Sequence, residues 1–311
     1  MSMIHLRVVC PQSLAAGVVE SLAGRPGVVA ISIAAMGDAS PGHAVVHADL
    51  ARESADEALS ELHRLGVIEA GLVALDPIDT AIGHLATKAE RDAPGEGADA
   101  LIWDELATRT GEDSTLTWTF VAFMVLATLL ASIGVVTDSP ITIVGAMVVG
   151  PEFGPLAGLA VGLVRRRGGP ARRAAVALLV GFPVAIVVSS LLALAARAAG
   201  LIHADVLQGH RQTEFIYHPG WFSVITALVA GTAGMLSLTS SKSAVLVGVF
   251  ISVTTIPATG NAAVAAVVGN WYEAGQSLLQ LGINLVGIVV AATITLALRG
   301  AARPRMRARG A

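Results

Sequence analysis

Gly150-Pro151-Glu152-Phe153-Gly154-Pro155 sets one carboxylic acid among two prolines and two glycines, at the centre of an otherwise uncharged apolar run over residues 139–164. The run is long enough to cross a bilayer. An ionised carboxylate at bilayer depth costs about 2.5–3.5 kcal/mol on insertion scales, so it persists where it faces protein, a partner or water. Prolines remove backbone donors and disfavour a continuous helix, which frees carbonyls close to the acid. The pattern predicts a broken helix lining a polar site inside a membrane protein. Glu152, Pro151 and Gly154 are the first candidate residues.

A second set lies about a hundred residues on. Thr254, Thr255, Thr259 and Asn261 surround Pro257 within another apolar run. Their neutral oxygens suit an alkali ion or a polar solute, although single hydroxyls and amides in such runs also serve as interhelical hydrogen bonds. Gln280 and Asn284 read as packing contacts of that kind. Gly150, Gly154, Gly158 and Gly162 recur every four residues. On a helix they form a smooth stripe for close backbone approach, within a protomer or between protomers of a homo-oligomer.

Enzyme chemistry has little to work with. Within the apolar runs there is no His or Asp, no Gly-x-Ser-x-Gly elbow, and no second acid to form a carboxylate dyad with Glu152. The hydroxyls of Thr239-Ser240-Ser241-Lys242-Ser243 sit at the end of a run, where Lys242 reads as a topology charge. His210, Glu214 and His218 are spaced by four, but Pro219, Tyr217, Trp221 and Phe222 make an interfacial segment the better reading than a metal site. The single Cys10 excludes an internal disulfide framework and a multi-cysteine metal centre. No cofactor and no metal are expected.

The elements that must position these residues follow from composition. The chain has 311 residues, 54% hydrophobic and 14% charged, with a mean hydropathy of +0.71. Soluble domains carry about 25% charged residues, so this is a membrane composition. Charge divides the chain: residues 1–115 hold 7 Lys and Arg against 18 Asp and Glu, and residues 116–311 hold 13 against 5. An acidic soluble part is unsuited to nucleic acid or anionic lipid. No cleavable signal peptide is read at the N-terminus.

Six apolar segments are predicted, over residues 116–137, 139–164, 174–196, 221–241, 243–269 and 274–298, each of about 20 residues or more. Arg165, Arg166, Arg167, Arg172 and Arg173 follow the second segment, and Arg299, Arg303, Arg305, Arg307 and Arg309 follow the sixth. With six spans these fall on one side together with the N-terminal part. The positive-inside rule then places both termini in the cytoplasm, in a multi-pass protein of the cytoplasmic (inner) membrane. Asp138 and the turn 270–273 fall on the opposite side. The segments form two sets of three. Shifting one half on the other by 103 residues aligns Trp118 with Trp221, Gly145 with Gly248 and Val161 with Val264, and in each half the middle segment carries the breaker. Three spans per copy invert the second copy relative to the first, the arrangement of many secondary transporters.

The acidic part, residues 1–78, reads as strands at 4–9, 28–35, 43–50 and 71–75 with helices at 13–22 and 54–65. Ser13 is the expected helix cap, Gly24 and Gly66 the stops, and Pro77 the end of the last strand. The order βαββαβ fits an α+β, ferredoxin-like domain. Residues 79–115 form a connector with an amphipathic helix at 101–110, residues 116–300 the α-helical polytopic membrane domain of two inverted three-helix repeats, and residues 301–311 a basic tail.

Trp103-Asp104-Glu105-Leu106, the Gly145-Ala146-Met147-Val148-Val149-Gly150-Pro151-Glu152-Phe153-Gly154-Pro155-Leu156 block and Ile283-Asn284-Leu285-Val286-Gly287 resemble an uncharacterised hydrophobic-domain family of bacterial and archaeal membrane proteins, catalogued as domain of unknown function 389. The resemblance covers about residues 100–300 and implies a polytopic membrane architecture without an activity. The leading expectation is a transporter or channel for an ion or small polar solute. The alternative is a membrane-anchored sensor or scaffold whose soluble domain binds a ligand or protein.

Overall fold

A computed structural model describes residues 3–36, 41–78, 80–93, 100–203, 205–208, 213–239 and 255–301. The chain divides into two compact units, one over Met1–Leu106, the other over Ala107–Leu238 with Ser243–Ala301.

The first unit is built on a four-stranded antiparallel sheet of β1 (Met3–Pro11), β2 (Val28–Ala35), β3 (His43–Ala51) and β4 (Leu72–Ile78), ordered β2-β3-β1-β4. Strict alternation decides its faces. Ile4, Leu6, Val8 and Cys10 are buried against α1 (Gln12–Leu22) and α2 (Arg52–Arg64), while His5 and Arg7 point to the open face. Ile102, from beyond the sheet, closes this core.

Two sequence expectations need correction here. α1 begins one residue before Ser13, and its N-cap is Pro11, with no side-chain cap bond. Pro11 ends β1 in an extended conformation (φ −52°, ψ 139°), and the chain turns into the helix directly from it. β4 does not stop before Pro77 but runs through it to Ile78, paired with β1. The sheet order explains this: β4 is an edge strand, where the missing N–H of proline can face solvent. Gly24 (φ 77°) and Gly66 (φ 69°) stop the chain where expected, in the left-handed region that glycine enters without strain. Two short helices, α3 (Val67–Ala70) and α4 (His84–Asp92), complete the unit's elements. The connector helix, α5, spans Trp103–Asp113.

The second unit is helical. α6 (Trp118–Val136) is capped by Thr117, whose hydroxyl accepts from Phe120 N at 3.1 Å. α7 (Pro140–Val149) has Ser139 as its cap and a proline in its first turn, where the absent N–H costs nothing. α8 (Phe153–Val164), α9 (Gly168–Ala198), α10 (Trp221–Leu238), α11 (Thr255–Val268) and α12 (Trp271–Ala301) follow. Four of these, α6, α9, α10 and α12, are long and apolar enough to cross a membrane. α7 and α8 make a fifth candidate only as a pair, bent by 53° at residues 150–152. α11, the described part of the expected fifth segment, is too short to span alone; residues 243–254 lie outside the described residues.

Small side chains hold these helices together. Ala127, Ala131 and Ala177 are fully buried, whereas Leu179, Leu191, Val229 and Leu298 turn outward. An apolar exterior over a small-residue interior is the pattern expected for helices packed in lipid. Trp118, Trp221 and Trp271 each stand exposed at the start of a helix, as interfacial aromatics do. α9 and α12 are both 31 residues long, and they begin 103 residues apart, as do α6 and α10.

Candidate site at the break between two helices

The break forms because Pro151 cannot donate to the α7 ladder. Gly150 leaves the helix in an extended conformation (φ −65°, ψ 126°), and Glu152 becomes the N-cap of α8. Pro155, by contrast, lies in the first turn of α8 and is tolerated there. Glu152 is wholly buried, and its Oε1 accepts a hydrogen bond from Thr255 Oγ1 at 2.7 Å. Thr259 Oγ1 in turn donates to Thr255 O at 2.8 Å. The two interrupted segments therefore meet, acid to hydroxyl, at positions 103 residues apart. Thr255, Pro257, Thr259 and Asn261 are all buried; Thr254 lies outside the described residues.

Position 150 leaves little room for a side chain. A Cβ there would run into the Glu152 carboxylate and come within 2.8 Å of Ile256 Cγ1. Gly154 has a different neighbour. Its open side faces the connector, where a Cβ would lie 2.5 Å from Asp113 Cβ, and its carbonyl accepts from Ser114 Oγ at 3.3 Å. Gly158 faces Ser114 and Thr110, and Gly162 faces Ala171. The four-residue stripe of glycines is thus a seat for the end of α5 and the start of α9, and only Gly150 belongs to the acid's surroundings.

Asn261 is drawn into a second polar cluster. Its Nδ2 donates to Glu273 Oε1 at 3.0 Å and to Ser277 Oγ at 2.9 Å. Glu273, read from sequence as part of an external turn, is instead buried in the first turn of α12, at 2% exposure. Asn270 holds it: Asn270 Nδ2 donates to Glu273 Oε2 at 2.9 Å and Asn270 Oδ1 accepts from Glu273 N at 3.2 Å. The Asn-x-x-Glu spacing of a helix start was the signal that could have found this acid. Among the described residues no group of three His, Cys, Asp or Glu side chains is placed to hold a metal ion; His210, from the spaced triplet, lies outside them.

Asp113, at the C-terminal end of α5 beside Gly154, has its pKa raised, first by burial and then by Glu112, with Arg109 opposing. A carboxyl raised in the folded state adds stability at low pH that is lost as pH climbs through its folded value. Asp113→Asn is therefore expected to raise the melting temperature of the detergent-solubilised protein at pH 7. The gain shrinks as pH falls below the ordinary carboxylate range; a gain that does not vary with pH would rule out this titration as its cause.

On the open face of the sheet, His5 Nδ1 pairs with Asp49 Oδ1 at 2.7 Å and His5 Nε2 lies 3.0 Å from His47 Nδ1. This gives the face shared by His43 and His47 a polar, half-exposed character.

Comparison with known proteins adds no activity. A relative described as the uncharacterized protein MJ0678 of Methanocaldococcus jannaschii is 22% identical over 213 residues, which take in 66% of this chain and 62% of that protein. No solved structure matches. Residues 147–290, from the end of α7 through the break, α11 and most of α12, match the family described as Domain of unknown function (DUF389).

Proposed function

We propose that the helical unit is a transporter or channel for an ion or small polar solute, with its site where the two interrupted segments meet. The observation that carries this reading is the hydrogen bond from Thr255 to the buried Glu152. A lone acid held at a helix break, against hydroxyls from a second segment, is the arrangement that binds coupling ions in such proteins.

Three further features support it. The helix lengths and the recurring offset of 103 residues are what two inverted repeats of three segments would give, with α8 and α11 as equivalent half-helices. The strand order β2-β3-β1-β4 with α1 and α2 on one face matches a ferredoxin-like module, which regulates or assembles the membrane part in this reading. The basic residues 165–173 favour a cytoplasmic position for the α8–α9 loop, and with it both termini, in the cytoplasmic (inner) membrane. Assembly as a homo-oligomer and the absence of an enzymatic role belong to the same proposal.

Flux through proteoliposomes containing the purified protein tests the function. Uptake of protons, alkali cations or small polar solutes above empty vesicles is expected; none in any of these classes would favour the membrane-anchored sensor or scaffold. Orientation is read separately. Cys10 is fully buried and its thiol pKa is raised by that burial, so it is replaced without loss of a labelling site. Single cysteines at Gly168 and Gln208 are then exposed to a membrane-impermeant thiol reagent on intact cells. Labelling at 208 and protection at 168 are expected, and the reverse pattern would invert the topology.

A further inference from the structure

The two edges of the antiparallel sheet are not alike. β4, at one end of the order β2-β3-β1-β4, carries Asp76 and Pro77. A charge and a proline are devices that keep an edge strand from pairing with another chain. β2, at the other end, reads Val28-Val29-Ala30-Ile31-Ser32-Ile33-Ala34-Ala35 and has neither. Its first half is sheltered, because Val29 packs against the buried cluster of Met3, Ala51 and Ala93. From Ser32 to Ala35 every residue is exposed. Ile33 is 55% exposed although it stands opposite the fully buried Val46, on the face that holds the core.

The ladder decides which backbone groups are left over. Met36 N donates to His43 O at 3.1 Å, so these opposed residues form a hydrogen-bonded pair. Bonded and non-bonded pairs alternate along an antiparallel ladder. Ala34 and Ser32, opposite Val45 and His47, therefore direct their N–H and C=O groups to β3, whereas Ala35, Ile33 and Ile31 direct theirs outward. Among the described residues no strand meets that outer edge.

We infer that this edge pairs with the same edge of a second copy of the chain, antiparallel about a two-fold axis at Ile33. Outward-pointing residues must oppose outward-pointing residues, so Ile33 meets its own counterpart and Ile31 meets Ala35 in both directions. A register centred on Ser32 would instead set Ala35 against Val29, where the shift between Val28 and Ala30 makes the ladder irregular. The two-fold uses one segment on both sides, as a C2 interface must, and a strand without charges brings no like charges together. Both exposed Ile33 side chains are covered by it. Three bonded pairs supply about six backbone hydrogen bonds, a contact small beside the roughly 1,200 Å² of a stable free-standing interface. Chains confined to one membrane supply the missing effective concentration. The inference rests on the homo-oligomer part of the proposed function and names its interface, independently of transport.

Disulfide cross-linking of the full-length protein in membranes tests it, in a Cys10→Ala background with copper phenanthroline as oxidant. Ile33→Cys is expected to give a linked dimer, since the Cα atoms of a bonded pair stand about 5.5 Å apart, inside the disulfide range. Ala35→Cys is the register control. Its own counterpart would lie about 14 Å away, four residues along the strand, so loss of the dimer band is expected there. Leu72→Cys, at a 51% exposed position on the guarded edge, reports random collision and is expected to give no band either. The size of the wild type in detergent, measured by light scattering, keeps this inference apart from the reading it rests on. Linkage at position 33 alone upholds the edge whatever that size. An oligomer without linkage at 33 would overturn the edge and leave the homo-oligomer standing; a monomer without it would overturn both. Equal linkage at 33, 35 and 72 would mark collision and overturn the edge, as would linkage at 35 in place of 33.

Discussion

Glu152→Gln is expected to assemble and melt like the wild type, yet to lose the pH dependence of flux and to slow it by about tenfold or more, the equivalent of about 1.4 kcal/mol of lost coupling. The amide retains the shape of the side chain and an oxygen for the 2.7 Å bond from Thr255 Oγ1, so the contact between the two interrupted segments survives. What disappears is the ionisable carboxyl that Thr255 contacts. Glu152→Leu has a different outcome, because it leaves the buried Thr255 hydroxyl without this acceptor. An unmade buried hydrogen bond costs about 1–3 kcal/mol, so a lower melting temperature is expected along with loss of flux. Proteoliposome uptake measured across a pH series separates the cases. If Glu152→Gln transports with an unchanged rate and pH profile, the carboxylate only holds α8 against α11, and the site must be sought among the neutral oxygens of α11.

Gly260→Ala is expected to lower stability by about 1–3 kcal/mol, the range for forcing extra volume into a packed interior. A Cβ at position 260 would lie 2.6 Å from Ala131 Cβ, 2.8 Å from Ser132 N and 2.9 Å from Ala131 C. Two of these are backbone atoms of α6, which cannot swing aside. The crossing also carries a hydrogen bond from Ser132 Oγ to Gly260 O at 3.3 Å, which a spread helix pair would stretch. Gly145→Ala provides the comparison, since it also adds one methyl group within a helix but meets nothing within 4 Å. At that position the change is expected to be neutral or stabilising, by up to about 1 kcal/mol of helix propensity. Melting curves of the two variants side by side would measure the difference, and equal stabilities would show that α6 and α11 do not approach so closely in the membrane.

The sequence by itself determined what depends on neighbours along the chain. Alternation of Ile4, Leu6, Val8 and Cys10 with His5 and Arg7 declared a half-buried strand, because each strand residue faces opposite its neighbour. Pro151 between Gly150 and Glu152 declared an interrupted helix, because a missing donor and a carboxylate are local costs wherever the segment lies. The acid could therefore be singled out before its surroundings were known. Its partner could be named only within a stretch of oxygens, and the tertiary structure selected Thr255 from among them. Asn261, from the same stretch, turned instead to Glu273, an acid that looked like an ordinary loop charge until α12 was seen to begin at Trp271 and bury it. Gly154 likewise shares a motif with Glu152 yet packs on Asp113. Even the end of β4 was a tertiary decision, since Pro77 ends a central strand but not an edge one. Periodicity and backbone chemistry are written one residue after another. Which buried oxygen meets which acid is settled between segments a hundred residues apart, where the helices' closest approach, and not residue type, chooses the pair.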